Sequence, residues 1–278
     1  MSSATPASVT NPDEQRFRVR PRVWIGLAIW IGYLVVIFAV QTLGGVPYDE
    51  WGDSAGNLFF GAGVSLLIAT VLLAVTTSLL GWWGPALYDR ERSRHRWPIF
   101  IPVLMAIAAI MNLAGTDWSA YSGAFLAASL TLALVGFTEE IVNRGLLLVG
   151  FRTRLNEGWV WFLTSVMFGL SHLVNIALGA DSAGTVQQVF FAFLAGTVFY
   201  ILRRVTGSLW WAMLLHGLWD FSVFAAGVGT ASDIAAIANV IEPVAGLLGL
   251  ACVVFVIKGA NERIPPTKQQ RSDVAPAH

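Results

Sequence analysis

Two adjacent carboxylates, Glu139 and Glu140, lie at the end of an apolar run that begins near Ser122, and Arg144 follows one helical turn later. Residues 140 and 144 have the i,i+4 spacing that allows an ion pair along one face of a helix. Glu139 lies about 100° further round the same helix, on a different face. We therefore expect Arg144 to brace Glu140 and to leave Glu139 available for chemistry.

Two histidines occur in later apolar segments. His172 follows Phe168 by one helical turn, and His216 precedes Asp220 by one turn, so each pair shares a helical face. Asp220 could orient the ring of His216 or favour its charged form, and Phe168 could line the site with an apolar ring. At a rise of about 1.5 Å per residue, Glu139, His172 and His216 all lie roughly 14–21 Å from the cytoplasmic ends of their predicted helices.

These side chains are typical of a site that hydrolyses an amide. A carboxylate can activate a water molecule, and an imidazole or a metal ion can position that water or stabilise an oxyanion. His172 and His216, with Glu139 or Asp220, could supply the three ligands of an open zinc site. A zinc site and a site without metal both stay open, because Glu139 cannot be fully committed as a metal ligand if it acts as the base. No H-E-x-x-H or P-loop motif occurs in the chain.

The elements that must position these residues are membrane helices. Hydrophobic residues make up 56% of the chain and charged residues 12%, and the mean hydropathy is +0.66, which excludes an ordinary soluble domain. We predict an all-α polytopic membrane bundle of about eight transmembrane helices, each long enough for a ~30 Å hydrocarbon core. The apolar stretches fall at about 23–43, 57–80, 98–115, 122–149, 159–178, 186–202, 208–228 and 239–257.

Charged residues orient this predicted bundle. All 17 basic residues lie on one side of an eight-span topology, and the opposite loops carry only acids, among them Asp49, Asp117, Asp181 and Glu242. The positive-inside rule then predicts that both termini are cytoplasmic. The compact chain predicts a bacterial plasma (inner) membrane protein. Its expected partners are membrane lipids and a peptide or membrane-protein substrate, with no nucleic acid.

Three motifs in order resemble those of the type II CAAX prenyl endopeptidase family, also called CPBP or Abi. They are Glu-Glu-x-x-x-Arg at 139–144, Phe-x-x-x-His at 168–172 and His-x-x-x-Asp at 216–220. The resemblance runs from about Ser122 to Phe221 and implies an intramembrane protease with a bundle of eight or so helices. The family is described both as a metalloprotease and as a metal-independent glutamate protease.

The resemblance also implies a role for each matched residue. Glu139 would be the catalytic carboxylate that acts with His172 on a water molecule, and Glu140 with Arg144 would be its supporting pair. His216 and Asp220 would lie near the developing oxyanion. Eukaryotic prenyl-protein members commonly have Asn at this last position, and an ionised Asp cannot donate a hydrogen bond. Asp220 must therefore be protonated, act through His216 or serve as a metal ligand.

We accordingly predict a single transmembrane domain at 23–258 with a protease core at about 122–228. Residues 1–22 and 259–278, which are poor in apolar residues, are predicted to be disordered cytoplasmic tails. The only cysteine, Cys252, excludes an intrachain disulfide and a cysteine-based metal cluster.

An intramembrane endopeptidase is the first functional hypothesis. The alternative is a non-enzymatic membrane protein, either a proton-coupled transporter that uses Glu139, His172 and His216 as a relay, or a membrane scaffold or immunity protein. The three side chains gather at one depth instead of being spaced across the membrane, which favours the enzyme.

Overall fold

The computed structural model describes residues 17–230 and 232–265, so the predictions for residues 1–16 and 266–278 lie outside the described residues. Eight longer helices form a bundle in this part of the chain, which has no β-strand. They are α1 Val23–Gly44, α2 Ala55–Leu80, α3 Trp97–Ala114, α4 Gly123–Phe151, α5 Glu157–Ser171, α6 Ser182–Thr206, α7 Trp210–Ala226 and α8 Asp233–Ile257.

Seven of the eight helices are long and apolar enough to cross a bilayer, if α5 is taken through to Ala177. The remaining helix, α7, has 17 residues and a length of about 25 Å at the standard helical rise. The prediction of a polytopic helical membrane bundle is therefore confirmed. The cytoplasmic placement of both termini stays a prediction.

Short irregular turns interrupt the long helices. The π-helical turn Ile141–Leu147 directly follows the two carboxylates in α4, and π turns are frequent at functional sites. A second π turn, Phe59–Gly63, lies in α2. The other short elements are the 3₁₀ turns Tyr48–Glu50, Trp97–Ile99, Trp118–Ala120 and Leu130–Ala133, and the short helices Trp83–Leu87 and Val174–Ala177.

The start of α8 corrects one prediction about a loop. The charge pattern assigns Glu242 to the acidic loops opposite the basic side, near the start of the predicted span at 239–257, but α8 already begins at Asp233. The Ser232 side chain caps this earlier start by accepting a hydrogen bond from the Ala235 amide, and Asp233 lies in the first turn, where the helix dipole favours an acid. Glu242 consequently lies inside a membrane helix.

Helices α4 and α7 cross with their backbones in contact. A Cβ atom added at Gly217 would lie 2.5 Å from the carbonyl oxygen of Ala133, and one added at Gly136 would meet the carbonyl oxygen of Met213. Small residues allow such close crossings between membrane helices. This crossing holds His216 of α7 against the turn of α4 that carries the two carboxylates.

Replacing Gly217 by Ala is expected to lower the free energy of unfolding by about 1–3 kcal/mol, because the added methyl overpacks against backbone that cannot rotate away. Denaturant titration in mixed micelles measures this change. Gly32→Ala is the matched control, since no atom lies within 4 Å of a Cβ at that helical glycine. Equal stability of the two variants would contradict a backbone contact at Gly217.

A buried ionic cluster closes one end of the bundle. The Asp89 carboxylate lies 2.9 Å from Arg152, 2.9 Å from Arg203 and 2.6 Å from Arg204, and its side chain is inaccessible to solvent. Burial alone would raise the pKa of the Asp89 carboxyl, but the guanidinium groups of Arg203, Arg152 and Arg204 hold that pKa well below its ordinary range. Asp89 is therefore ionised and paired in the folded state.

Glu262 joins this cluster from the C-terminal end of the described residues. Its carboxylate pairs with Arg204 at 3.1 Å and accepts hydrogen bonds from the amides of Arg90 and Glu91 at 2.9 Å. Glu262 is only 3% exposed. The segment 259–278, predicted to be a disordered tail, thus contains an anchored residue, because Glu262 finds arginine partners that are distant in sequence.

The Asp89 cluster makes stability depend on pH. A lowered folded pKa contributes stability above the unfolded pKa of about 3.9, and this contribution is lost as the pH falls through the folded value. We expect Asp89→Asn to lower the free energy of unfolding by about 2–3 kcal/mol at neutral pH. The difference from the unmodified protein should shrink below about pH 4. Denaturation curves from pH 2 to 7 measure this difference in the free energy of unfolding. Asp49→Asn, at an exposed position, is the control. A difference that does not change with pH would contradict the prediction.

Candidate active site

The predicted catalytic side chains line one cavity of about 630 Å³ between the helices. Glu139 of α4, His172 at the end of α5, and His216 and Asp220 of α7 all border it. Three separate segments of the sequence are thus brought together at this cavity. Phe168 of α5 is a further lining residue.

Glu139 is the carboxylate of α4 that faces the cavity. Its side chain is 18% exposed, and its Oε1 atom accepts a hydrogen bond from the Tyr33 hydroxyl of α1 at 3.4 Å. The Oε2 atom has no hydrogen-bond partner among the described residues. The Asn143 side chain donates to the Glu139 backbone carbonyl at 2.9 Å, which supports the turn where the π helix begins. One carboxylate oxygen is therefore free to bind a water molecule.

Glu140 lies behind the cavity in a buried ion pair. Its Oε1 atom is 2.8 Å from Arg144 Nη1 and 3.1 Å from His216 Nδ1, and the side chains of Glu140 and Arg144 are both 0% exposed. The predicted pair between residues 140 and 144 is present. The contact with His216 was not predicted, because it depends on the helix crossing and not on spacing within one helix.

His216 is surrounded by carboxylates and aromatic rings. Its Nε2 atom lies 3.6 Å from Asp220 Oδ2 and 3.9 Å from Glu139 Oε2. The ring stacks on Phe199 with a centroid distance of 4.5 Å and an interplanar angle of 21°. Since Nδ1 contacts Glu140 and Nε2 faces two further carboxylates, the surroundings suit a ring that carries a proton on both nitrogens.

His172 presents one nitrogen to the cavity. Helix α5 ends at Ser171, and the Nδ1 atom of His172 lies 3.0 Å from the Phe168 carbonyl oxygen. A carbonyl oxygen can only accept, so Nδ1 carries the hydrogen and Nε2 of the neutral ring is an acceptor. This arrangement fixes the ring for contact with a water molecule.

Phe168 has more contacts than the apolar lining role predicted for it. The Arg144 guanidinium carbon lies 4.1 Å from the centroid of the Phe168 ring, which is the geometry of a cation–π contact. The Phe168 ring also lies nearly perpendicular to the rings of His172 and His216, with centroid distances of 5.2 Å and 5.4 Å. Gly196 makes room for this stack, since a Cβ there would meet Arg144 Nη2.

Comparison with known families provides independent support. Residues 121–222 match the family model described as "Rce1-like: Type II CAAX prenyl endopeptidase Rce1-like". The family resemblance is confirmed over this segment. The Rce1-like segment contains all three motifs, and the match supports a CAAX-type protease integral to the membrane. A comparison with curated proteins finds no match.

Two residues at the site were missed by sequence reasoning. Tyr33 lies in α1, outside the Rce1-like segment, and its only signal was a phenol within an apolar span. Phe199 lies in α6 and has no signal that separates it from other core aromatics. Both belong to helices in which no chemical motif was found.

The cavity has only part of the donor arrangement of a zinc site. The ring nitrogens of His172 and His216 that contact Phe168 and Glu140 are held as a metal-binding histidine is usually held. Within the described ranges, however, no group of three or more His, Cys, Asp or Glu side chains is arranged to hold a metal ion. Zinc therefore stays a prediction from the sequence.

Proposed function

We propose that this protein is an intramembrane endopeptidase that hydrolyses a peptide bond in a membrane-embedded or lipid-proximal substrate through a water activated by Glu139 and His172. The observation that carries the proposal is the Oε2 atom of Glu139, which has no hydrogen-bond partner among the described residues and lies in a cavity that Glu139 shares with His172 and His216. The match of residues 121–222 to a CAAX-type peptidase family supports it.

In the first step Glu139 acts as the base. A water molecule in the cavity donates one hydrogen to Glu139 Oε2 and the other to Nε2 of neutral His172. Glu139 takes the first proton as the water oxygen attacks the substrate carbonyl carbon. The carbonyl π electrons move to the oxygen, so the product of this step is a tetrahedral intermediate with one oxyanion and a protonated Glu139.

In the second step His216 stabilises the oxyanion and Glu139 returns its proton. The Nε2–H group of a charged His216 donates to the oxyanion, and the carboxylates of Glu140 and Asp220 favour that charge. Asp220 thus acts through His216 as a positioning residue. When the intermediate collapses, the C–N bond breaks and the leaving nitrogen takes the proton from Glu139, which yields one carboxyl and one amine terminus.

The location of the site supports the proposed substrate class. The cavity lies among helices that are long enough to span a bilayer, and its lining includes Leu34, Leu66 and Val135. A peptide or membrane-protein segment would reach it from the lipid or from the membrane surface. The bacterial plasma membrane and the cytoplasmic termini stay predictions within this proposal.

The membrane peptidome tests the proposal. Membranes from cells that make the unmodified protein should contain cleavage products that are absent from cells that make Glu139→Ala and from cells that carry an empty vector. Cells that make the control variant Glu50→Ala, changed at an exposed position, should still contain these products. Identical peptidomes for Glu139→Ala and the unmodified protein would overturn the proposal. Proton flux in peptide-free proteoliposomes that depends on Glu139 would instead support the transporter.

A further inference from the structure

Glu242 is a buried carboxylate that the proposed reaction does not use. It lies in α8, outside the Rce1-like segment, and lines the same cavity as Glu139, His172 and His216. The residue is 8% exposed. An acid at this position in a membrane helix is costly and is usually retained for a function.

Glu242 has no polar partner in the part of the chain that the structure describes. No residue at 17–230 or 232–265 forms a hydrogen bond or an ion pair with its carboxylate, whereas the other two cavity carboxylates, Glu139 and Asp220, both lie near His216. A buried carboxylate without a partner carries a large desolvation cost. A cationic ligand that entered the cavity would offset that cost.

The turn of α8 around Glu242 offers a second acceptor. Pro243 follows directly within the helix and has no N–H group to donate to the carbonyl oxygen of Asn239, four residues earlier. Asn239 and Glu242 both line the cavity. The Asn239 carbonyl oxygen, which lacks its usual helical donor, and the Glu242 carboxylate thus belong to two residues that border the same cavity, and both groups can accept hydrogen bonds.

The cavity as a whole is suited to a cation. Its lining residues include three carboxylates and two imidazoles but neither Lys nor Arg. The rings of Tyr48 and Trp51, with centroids 4.5 Å apart, and the ring of Trp219 add aromatic faces that attract cations. A substrate with a positive group would therefore be favoured over a neutral one of the same shape.

We propose that Glu242 and the Asn239 carbonyl form a subsite that binds an ammonium or guanidinium group of the substrate peptide, away from the bond that is cut. The identity of the ligand as a peptide rests on the proposed function. The ammonium chemistry has two sources in a peptide, a Lys side chain and a free α-amino terminus, which blocked and unblocked peptides distinguish.

Binding to a cleavage-deficient protein tests the subsite. Glu139→Gln is reconstituted in nanodiscs and titrated with an apolar twelve-residue peptide carrying one central Lys, acetylated and amidated at its ends, and with the same peptide carrying norleucine. A third peptide has norleucine and a free amino terminus. The Lys or the free-amine peptide should bind about tenfold more tightly than the blocked norleucine peptide, as expected for a charge-assisted hydrogen bond.

The preference should disappear in Glu139→Gln/Glu242→Gln and persist in Glu139→Gln/Asp233→Asn, which changes an exposed acid of the same helix. Equal affinities for all three peptides, absence of binding, or a preference that survives Glu242→Gln would overturn the subsite. The unmodified protein is tested for cleavage of the same peptides in parallel. A charge preference without cleavage would contradict the peptidase proposal alone, and cleavage without a charge preference would contradict the subsite alone.

Discussion

Replacement of Glu139 by Gln is expected to lower the rate of peptide cleavage by about 10³-fold, the scale of a lost general base. The amide keeps the size of the side chain and can still accept the hydrogen bond from Tyr33, but it cannot take a proton from water. Single-turnover cleavage of a peptidome-derived substrate in proteoliposomes measures the rate. Substrate affinity should change little, because the lost interaction is made mainly in the transition state.

Two controls separate this loss from misfolding. Glu50→Gln, at an exposed position, should retain the full rate. Thermal unfolding of Glu139→Gln should stay close to that of the unmodified protein, since the Glu139 Oε2 atom has no hydrogen bond to lose among the described residues and its contact with His216 is long, at 3.9 Å. Full activity in Glu139→Gln would contradict its role as the base.

The parts of the site that lie within one helix could be predicted from the sequence. The spacing of Glu140 and Arg144 predicts the ion pair that is observed, and the different face of Glu139 predicts that it avoids Arg144. Apolar stretches of sufficient length predict the membrane helices. These features depend on local geometry, which the order of residues determines.

Contacts between distant helices could not be predicted in this way. The bond of Glu140 to His216 requires the close crossing at Gly136 and Gly217, and a pair of glycines among 27 gives no sign of which helices they join. Tyr33 reaches Glu139 from a helix with no motif. Such contacts are set by packing of the whole bundle, which periodicity does not encode.

The ion pairs of the arginines near the helix ends could not be predicted either, because they also depend on how distant segments pack together. The many arginines on one side predict topology, but three of them are buried against Asp89. Arg203 also donates to the backbone carbonyl of Arg144, in the π turn of α4. The ionic cluster at the end of the bundle is therefore joined directly to the segment that carries the site.

Replacement of Arg144 by Met should destabilise the fold by about 3–5 kcal/mol, the usual cost of removing one partner from a buried ion pair. Glu140 would keep only the contact with His216, and the Phe168 ring would lose the guanidinium that lies 4.1 Å from its centroid. Denaturant titration in mixed micelles measures the loss. The free energy of unfolding of Arg144→Lys should lie between those of the unmodified protein and Arg144→Met, because the ammonium group keeps the charge but not the planar contact with the Phe168 ring.

The double variant Glu140→Gln/Arg144→Met decides whether the loss comes from the unpaired charge. The Arg144 Nε and Nη2 atoms have no hydrogen-bond partner among the described residues, so its bond to Glu140 is the main polar contact of its side chain. Neutralising both residues should recover roughly 1–3 kcal/mol relative to Arg144→Met, a coupling typical of residues in direct contact. If the double variant regains stability but cleaves peptide more slowly than the unmodified protein, the pair also holds His216 in place. The single variant Glu140→Gln completes the cycle. If its loss of stability and that of Arg144→Met add up to the loss in the double variant, Arg144 stabilises the bundle by packing against Phe168 and not by pairing with Glu140.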